Sequence, residues 1–464
     1  MRLLSGGDKL RLFKRQPVRS PVNAYFSKYQ QSITQGVQIS GRKSGYIPHP
    51  LDLSHLTGKK IFIGYRGEAL PSVYDLRPKG RVSPVKDQGL AGTCWIFATY
   101  GSLESCLLPE EKWDFSENNM KNLLAEECPQ GYDRPFDGGG NQWMSTAYLS
   151  RWSGPVLEKN DPYDPFQGNC DVFPARKHIR RVVFIPPRKS PTDNTNLKTA
   201  IMNSGAVFTA MAYDDGYYNE ETTSYYSSEG FPNHVVNLVG WDDNYSRKKF
   251  KTRPPGDGAF IVKNSWGQNW GDKGYFNISY YDFFLGMENA LFSRTENPKS
   301  AQIIHQYDPL GWIASYGFQS DTAWFSNIFE AETNQNITGF GFYTASPYSS
   351  YNIYVYENVT AGKPRSGRLT KSFKGTIDEP SYYVRNFSSP VRVKQGKKFS
   401  LVVELTTPAY DYPIPCEVRL EGISSKAKSS PGQGYISDNG KTWDDIYALA
   451  EDASICLKAF AELK

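Results

Sequence analysis

A chain of 464 residues exceeds the ~250 to 300 residues at which a single hydrophobic core stops growing, so two domains are expected. Its 53 Lys and Arg stand against 48 Asp and Glu with no long run of one sign, so neither nucleic acid nor an anionic surface is implied as a partner. No stretch approaches the ~20 apolar residues of a bilayer span, and no membrane span is expected.

In chain order, residues 1–21 are basic, with Arg2, Lys9, Arg11, Lys14, Arg15 and Arg19, but no apolar run of ~7 to 15 residues follows, so no signal peptide is legible. Residues 1–69 mix basic residues with Gly, Ser and Pro and read as an N-terminal arm outside the core. Within it Ile47-Pro48-His49-Pro50-Leu51 is held extended by alternate prolines. From Leu70 apolar density rises, and Ile96, Tyr100, Leu103 and Leu107 mark the stripe of a half-buried helix over 94–107. Short helices are predicted around 147–149 and 197–202. Strands are predicted over 234–241, 258–263 and 275–281, where β-branched and aromatic residues gather.

Beyond Asn297-Pro298 helical signals fade. Strands over 337–344, 351–357, 399–405 and 434–437, punctuated by turn clusters, indicate a sandwich or a barrel. The domain boundary is placed near 297–303.

Six cysteines at 94, 106, 128, 170, 416 and 456 form no CxxC pair and no zinc-like spacing with histidine, so no metal is expected. Five Asn-x-Ser/Thr triplets, at Asn244, Asn277, Asn336, Asn358 and Asn386, suit an exposed extracellular surface, and the localisation leans towards export or the cell surface.

The chemistry centres on Cys94. The string Gln88-Gly89 to Gly92-Thr93-Cys94-Trp95 puts this thiol at the first turn of the predicted helix, where free backbone N–H groups and the helix dipole favour an anion. There a thiol pKa is expected to fall from ~8.5 towards ~3.5 to 7.5. The backbone N–H of Cys94 and the carboxamide of Gln88 are together suited to hold an oxyanion. Of the five histidines, His49, His55, His178, His234 and His305, His234 opens an apolar strand that would hold its ring rigidly, whereas His178 and His305 read as ordinary hydrogen-bonded residues. Asn264, in Lys263-Asn264-Ser265-Trp266-Gly267, ends the next strand and offers an amide to fix the imidazole. Cys, His and Asn in this order, ~130 to 170 residues apart end to end, is the spacing of one family of thiol peptidases.

Those strings, with Leu70-Pro71-Ser72-Val73-Tyr74-Asp75-Leu76-Arg77, Trp270-Gly271 and Gly274-Tyr275, resemble the papain-like cysteine peptidases over roughly 70–295. The resemblance implies an α+β fold, with a helical lobe and a β lobe meeting at a cleft between Cys94 and His234. It implies Cys94 as nucleophile, His234 as acid and base, Asn264 as orienting amide and Gln88 as oxyanion donor, acting on protein or peptide substrates without a cofactor. It further implies Gly139 and Gly140 as the backbone edge for an extended substrate, Val235 as a wall of the specificity pocket and Trp266 as a cover over the Asn264 to His234 hydrogen bond; read from residues alone, the three glycines at 138–140 are equally a turn. The cysteine usual three residues before the nucleophile, and its partner before the paired glycines, are replaced by Ala91 and Asp137, which weakens the case for a disulfide-stapled domain.

The C-terminal part resembles the lectin-like domains that follow papain-like domains in some microbial proteins, which implies a β-sandwich over 303–464 with a carbohydrate or cell-surface ligand, or a docking role. Asp438-Asn439-Gly440-Lys441-Thr442-Trp443 resembles an Asp-box hairpin, a structural motif. For the arm, two readings stand: residues 47–56 lie along the cleft as a short prosegment, or the arm packs elsewhere or is disordered. The expected organisation is therefore 1–69 arm, 70–297 peptidase domain and 303–464 β-sandwich. The rival function is an inactive papain-like protein that binds glycan or a surface, which a missing member of the Cys, His, Asn set would indicate; none is missing.

Overall fold

The computed structural model describes residues 15–32, 45–64, 69–450 and 452–464. Helix Cys94–Leu107 forms over the predicted span and runs through the interior, buried on every side from Cys94 to Ser105. Two sequence features let it sit so deep. Gly101 faces Asn237, and a Cβ there would meet Asn237 Oδ1 at 2.1 Å, so only glycine allows this strand so close. Asn237 Nδ2 in turn donates to the Ala98 carbonyl at 2.8 Å, satisfying a polar side chain that burial would otherwise penalise.

Two further helices build the helical lobe. Ser116 Oγ accepts from Asn119 N at the start of Glu117–Leu123, and Asn141 Oδ1 accepts from Trp143 N and Met144 N at the start of Gln142–Ser150, both as side-chain caps. A disulfide joins Cys128 to Cys170 in this lobe. The domain is therefore stapled, though not at the positions of Ala91 and Asp137. There the backbone does the tying, with Gly92 N donating to the Asp137 carbonyl at 2.8 Å.

The β lobe is part of a 13-stranded sheet in which His234–Asp242 pairs with Val207–Met211 on one side and Ala259–Lys263 on the other. Strands His178–Ile185 and Asn289–Glu296, not anticipated from the sequence, extend this sheet. They carry it across the expected domain boundary, because Ser381, Tyr382 and Tyr383 pair with Val183, Val182 and Arg181. The C-terminal part is a sandwich. One layer is the far end of that sheet, strands Ser381–Val393, Gln335–Thr344, Leu457–Leu463 and Gln302–His305; the other is a six-stranded sheet centred on Lys398–Thr406 and Thr322–Glu330. Apolar residues of the peptidase region, such as Trp143 and Phe184, share one core with Trp312, Phe342 and Leu457. The Asp-box segment is a tight hairpin in which Asn439 Oδ1 accepts from the backbone of Lys441 and Thr442, in keeping with a structural role.

The arm departs from the expectation of a segment outside the core. Phe26, Tyr46, Ile47, Leu51, Leu56, Ile61 and Ile63 are all buried. Strand Val18–Arg19 adds to the edge of Ala314–Gly317 in the C-terminal part, helix Ala24–Ser32 follows, and residues 45–51 run over the peptidase domain. The spacing of apolar residues here matches no helix or strand period, which is why composition alone left the segment unplaced.

Candidate active site

Three chain segments converge on Cys94. Its thiol stands at the N-terminal end of helix Cys94–Leu107, which has no side-chain cap, so the first N–H groups of the helix remain for another acceptor. The sulfur takes that role, accepting from the backbone of Cys94 and Trp95, and also from Val235 and Gly45. Val235 N–H reaches the sulfur because strand His234–Asp242 starts beside it, so the imidazole of His234 is carried on the residue adjoining the thiol's own hydrogen-bond donor.

The imidazole is fixed by its neighbours. Its Nε2 lies 2.9 Å from Asn264 Oδ1; a carboxamide oxygen only accepts, so this contact puts the proton on Nε2 and leaves Nδ1 for proton exchange. The Trp266 indole stacks on the ring at 4.6 Å and 25°, shielding the hydrogen bond from water. Asn264 is held by its own backbone, N donating to the Gly274 carbonyl at 2.9 Å, while Ser265 N donates to Asn264 Oδ1 at 2.9 Å.

Gln88 is also locked. Its Nε2 donates to the Ala91 carbonyl at 2.8 Å, and its Oε1 accepts from Ser265 Oγ at 2.7 Å. This fixes the amide with its nitrogen towards the loop that leads into Cys94 and couples it to the residue next to Asn264. Sequence reading did not single out Ser265; its place beside Asn264 was the available signal.

Gly139 and Gly140 lie on the opposite rim. A Cβ on Gly140 would strike the Trp95 indole at 2.5 Å, so glycine is required there to bring the backbone against the helix. That backbone already has a partner: Gly140 N donates to the Gly45 carbonyl at 3.1 Å and Ile47 N donates to the Gly140 carbonyl at 3.0 Å, a parallel bridge centred on Tyr46. On the other side Gly45 N and Tyr46 N both approach the Asn233 carbonyl at 3.1 Å. Residues 45–47 therefore span the groove from Gly140 to Asn233, over the thiol. Asn141 Nδ2 secures them from below by donating to the Ile47 carbonyl at 3.0 Å.

This cover reverses the expected electrostatics. Cys94 is completely buried, and burial pushes its thiol up to about 12 despite the four backbone donors. The helix start offers the right dipoles, but the solvent that would help hold a thiolate is displaced by the arm. Among the described residues no group of His, Cys, Asp and Glu is arranged to hold a metal ion.

A buried helix carrying a thiol, set against a strand-borne histidine and its amide, defines a papain-like domain, here followed by a β-rich domain. Residues 70–294 match the papain family cysteine protease model and residues 304–461 match the lectin like domain model. The chain thus carries a papain-family cysteine peptidase domain and a C-terminal lectin-like domain. It is 31% identical to cysteine proteinase 15A of Pisum sativum over 45% of this chain and 58% of that protein, and 29% identical to cathepsin J of Mus musculus over 45% of this chain and 60% of that protein. The chain spans less than two thirds of the length of these curated relatives. Among solved structures, the cysteine protease and lectin-like domains of Cwp84, a surface layer associated protein of Clostridium difficile, superpose with a TM-score of 0.81 at 24% identity, covering 97% of this chain and 98% of that one. A clostridial Cwp84 structure obtained after propeptide cleavage gives a TM-score of 0.74 at 26% identity, with 85% of this chain and 100% of that one covered.

Proposed function

We propose that this chain is a cysteine peptidase that hydrolyses peptide bonds through a thioester on Cys94. The observation that carries the reading is the single arrangement of Cys94, Val235, His234 and Asn264, in which thiol, imidazole and amide are held by adjoining backbone. In the reaction the Cys94 sulfur attacks the scissile carbonyl carbon, and the carbonyl oxygen becomes an anion held by the Cys94 N–H and the Gln88 amide. His234 delivers the proton taken from the thiol to the departing amine, and the C–N bond breaks. Water, deprotonated by His234, then attacks the thioester, releasing the acid and restoring the thiol.

Gly139 and Gly140 serve as the edge on which substrate backbone pairs, Val235 as part of the wall beside the thiol, and Trp266 as the cover of the His234–Asn264 pair. The arm, residues 1–69, acts as a prosegment. The reading is supported by the hydrogen bonds that residues 45–47 make across the groove and by the propeptide cleavage named for the clostridial relative. The lectin-like domain holds a carbohydrate or another surface ligand, and the protein works outside the cytoplasm at a cell surface. Support comes from the Cys128–Cys170 disulfide, a bond typical of oxidising compartments, and from the surface-layer association named for Cwp84.

The test is Cys94→Ala against wild type, each with the arm removed by limited proteolysis, on a denatured protein substrate with reductant. Loss of cleavage with unchanged circular dichroism is expected; cleavage that survives the substitution refutes the mechanism.

A further inference from the structure

The charges of the whole chain nearly balance, leaving a formal net charge of +5, yet Arg247, Lys248, Lys249, Lys251 and Arg253 put as many positive charges into seven consecutive positions that hold no acid. These positions lie in the connection between strand His234–Asp242, which begins at His234, and strand Ala259–Lys263, which leads back to Asn264. A strand of nine residues spans roughly 30 Å at ~3.3 Å per residue, so the loop stands at the end of the β lobe away from the cleft.

The backbone of this loop is pinned while its charges are left in water. Ser246 Oγ accepts from Lys248 N at 3.4 Å to open a short 3-10 turn over Arg247–Lys249. The Lys249 carbonyl accepts from Asn219 Nδ2 at 2.8 Å, Thr222 Oγ1 at 2.5 Å and Ser224 Oγ at 2.8 Å. Phe250 is buried edge-on against Tyr245 at 5.5 Å, and Arg247 Nη1 donates to the Pro255 carbonyl at 2.6 Å, which ties the two limbs of the loop together. Lys248, Lys249, Lys251 and Arg253 are all exposed, and among the described residues none of the five cations ion-pairs with a carboxylate. The flanking acids are engaged elsewhere, Asp243 with Lys198 and the Tyr280 hydroxyl, Asp257 with the backbone N–H of Arg247. Like charges held this close on a fixed backbone build a positive potential that an incoming polyanion relieves, with release of its own counterions.

We infer that the loop 246–253 docks the protein on a linear anionic polysaccharide. The choice of partner follows from what the loop exposes, which is charge without rings or apolar groups. Tyr245, Phe250 and Pro254 are buried, so no side chain is offered for insertion into a bilayer or for stacking on a nucleobase. The apolar centre that a protein partner's interface needs is also missing. A hydrated polymer with charges recurring along its length asks only for a row of fixed cations. Because the loop lies at the far end of strand His234–Asp242, a chain bound there leaves the groove between Cys94 and His234 open. The inference goes beyond the peptidase reading and does not need it.

The experiment uses the full chain, with fluorescein-labelled heparin as the probe polysaccharide and circular dichroism as the check that each variant is folded. At about 0.1 M NaCl, Lys248→Ser/Lys251→Ser/Arg253→Ser should bind heparin ~10- to 100-fold more weakly than wild type, with a shallower dependence of Kd on salt because fewer counterions are released. Lys363→Ser/Lys394→Ser/Lys397→Ser, which removes the same charge from exposed positions of the lectin-like domain, should change Kd by less than about 2-fold. In wild type, heparin should protect Lys248 and Lys251 from acetylation, mapped by mass, and leave Lys363 and Lys394 unprotected, a readout that needs no variant. Absence of heparin binding, equal weakening in the two triple variants, or protection spread evenly over the surface lysines overturns the assignment. Loop-dependent binding of single-stranded DNA, poly-glutamate or phosphatidylglycerol vesicles that is tighter than that of heparin overturns the choice of partner. Every readout is of binding, so a peptidase assay that failed would refute the reading of Cys94 and leave this result to stand or fall by itself.

Discussion

Gly45 lies directly on Cys94: a methyl group at its Cα would come within 2.3 Å of Sγ and 2.8 Å of the Gly92 carbonyl oxygen. The arm can cross the thiol only where it has no side chain, and it lies on a sulfur that is completely buried. Gly45→Val cannot be accommodated by a small rotation, since both neighbours belong to the helix start. The expected result is an arm lifted from the groove, with iodoacetamide labelling of Cys94 accelerated ~10-fold or more relative to that of half-buried Cys106, which serves as internal reference. An unchanged ratio would mean that the arm does not gate the thiol.

The arm's histidines make its docking depend on pH. His55 is stacked on Tyr410 at 4.4 Å with Nε2 3.1 Å from the Ala345 carbonyl, and burial lowers its pKa to about 4, with Asp52 opposing and Lys59 assisting. His49, tilted against Trp143 at 4.8 Å and accepting from Leu51 N at 3.0 Å, is lowered well below its usual value by burial. Between about pH 6.5 and 4 a free arm binds protons at these rings that the docked arm does not, so docking is full above that window and weakens as pH falls through it, by roughly 1 to 3 kcal/mol for a partly screened ring. Hydrogen-exchange protection of the Ile47 and Leu51 amides should fall across this range, and His55→Phe should flatten part of the slope. Protection independent of pH would remove the histidines from the account.

That Cys94, His234 and Asn264 come together could be read from short strings that mark where their elements start or end: Cys94 after Gly92-Thr93, His234 at the head of an apolar strand, Asn264 before Trp266. Helix Cys94–Leu107 and strand His234–Asp242 formed where periodicity and β-branching placed them. The seat of the arm was not legible, since Gly45, Tyr46 and Ile47 gain their places from backbone bonds to Gly140 and Asn233, far away in sequence and blind to side-chain type. The same holds for strand Ser381–Val393, whose edge meets His178–Ile185. Long-range register of this kind leaves no local pattern.

Gln88 offers a test of the oxyanion role apart from the nucleophile. Its amide is clamped between the Ala91 carbonyl and Ser265 Oγ, so Gln88→Ala removes one donor without freeing the backbone. In arm-free enzyme, kcat should fall ~10²- to 10³-fold with little change in KM, the cost of one donor to a developing oxyanion. Alkylation of Cys94, which builds no oxyanion, should keep its rate. A matching fall in both rates would make Gln88 a support for the thiol instead.

The sheet that crosses from Arg181–Val183 to Ser381–Tyr383 makes the two parts one folding unit. Along this junction Arg181 ion-pairs with Glu379, Trp143 meets Trp312 edge-on at 5.3 Å, Arg151 donates to the Pro309 carbonyl at 2.9 Å, and the Tyr132 hydroxyl donates to the Leu310 carbonyl. Cutting the chain near 297 would expose these rings, take one of its acceptors from Arg151, which keeps those at Leu123, Gln130 and Ser153, and leave the buried Tyr132 hydroxyl without its acceptor, an orphaned polar group costing about 1 to 3 kcal/mol. Against a typical margin of about 5 to 15 kcal/mol for a whole domain, several such losses together are decisive. Calorimetry of the full chain should show a single cooperative transition, and residues 70–297 expressed alone should be insoluble or melt far below it. Two separate transitions, or a peptidase fragment as stable as the whole, would show that the shared sheet contributes little to holding the site together.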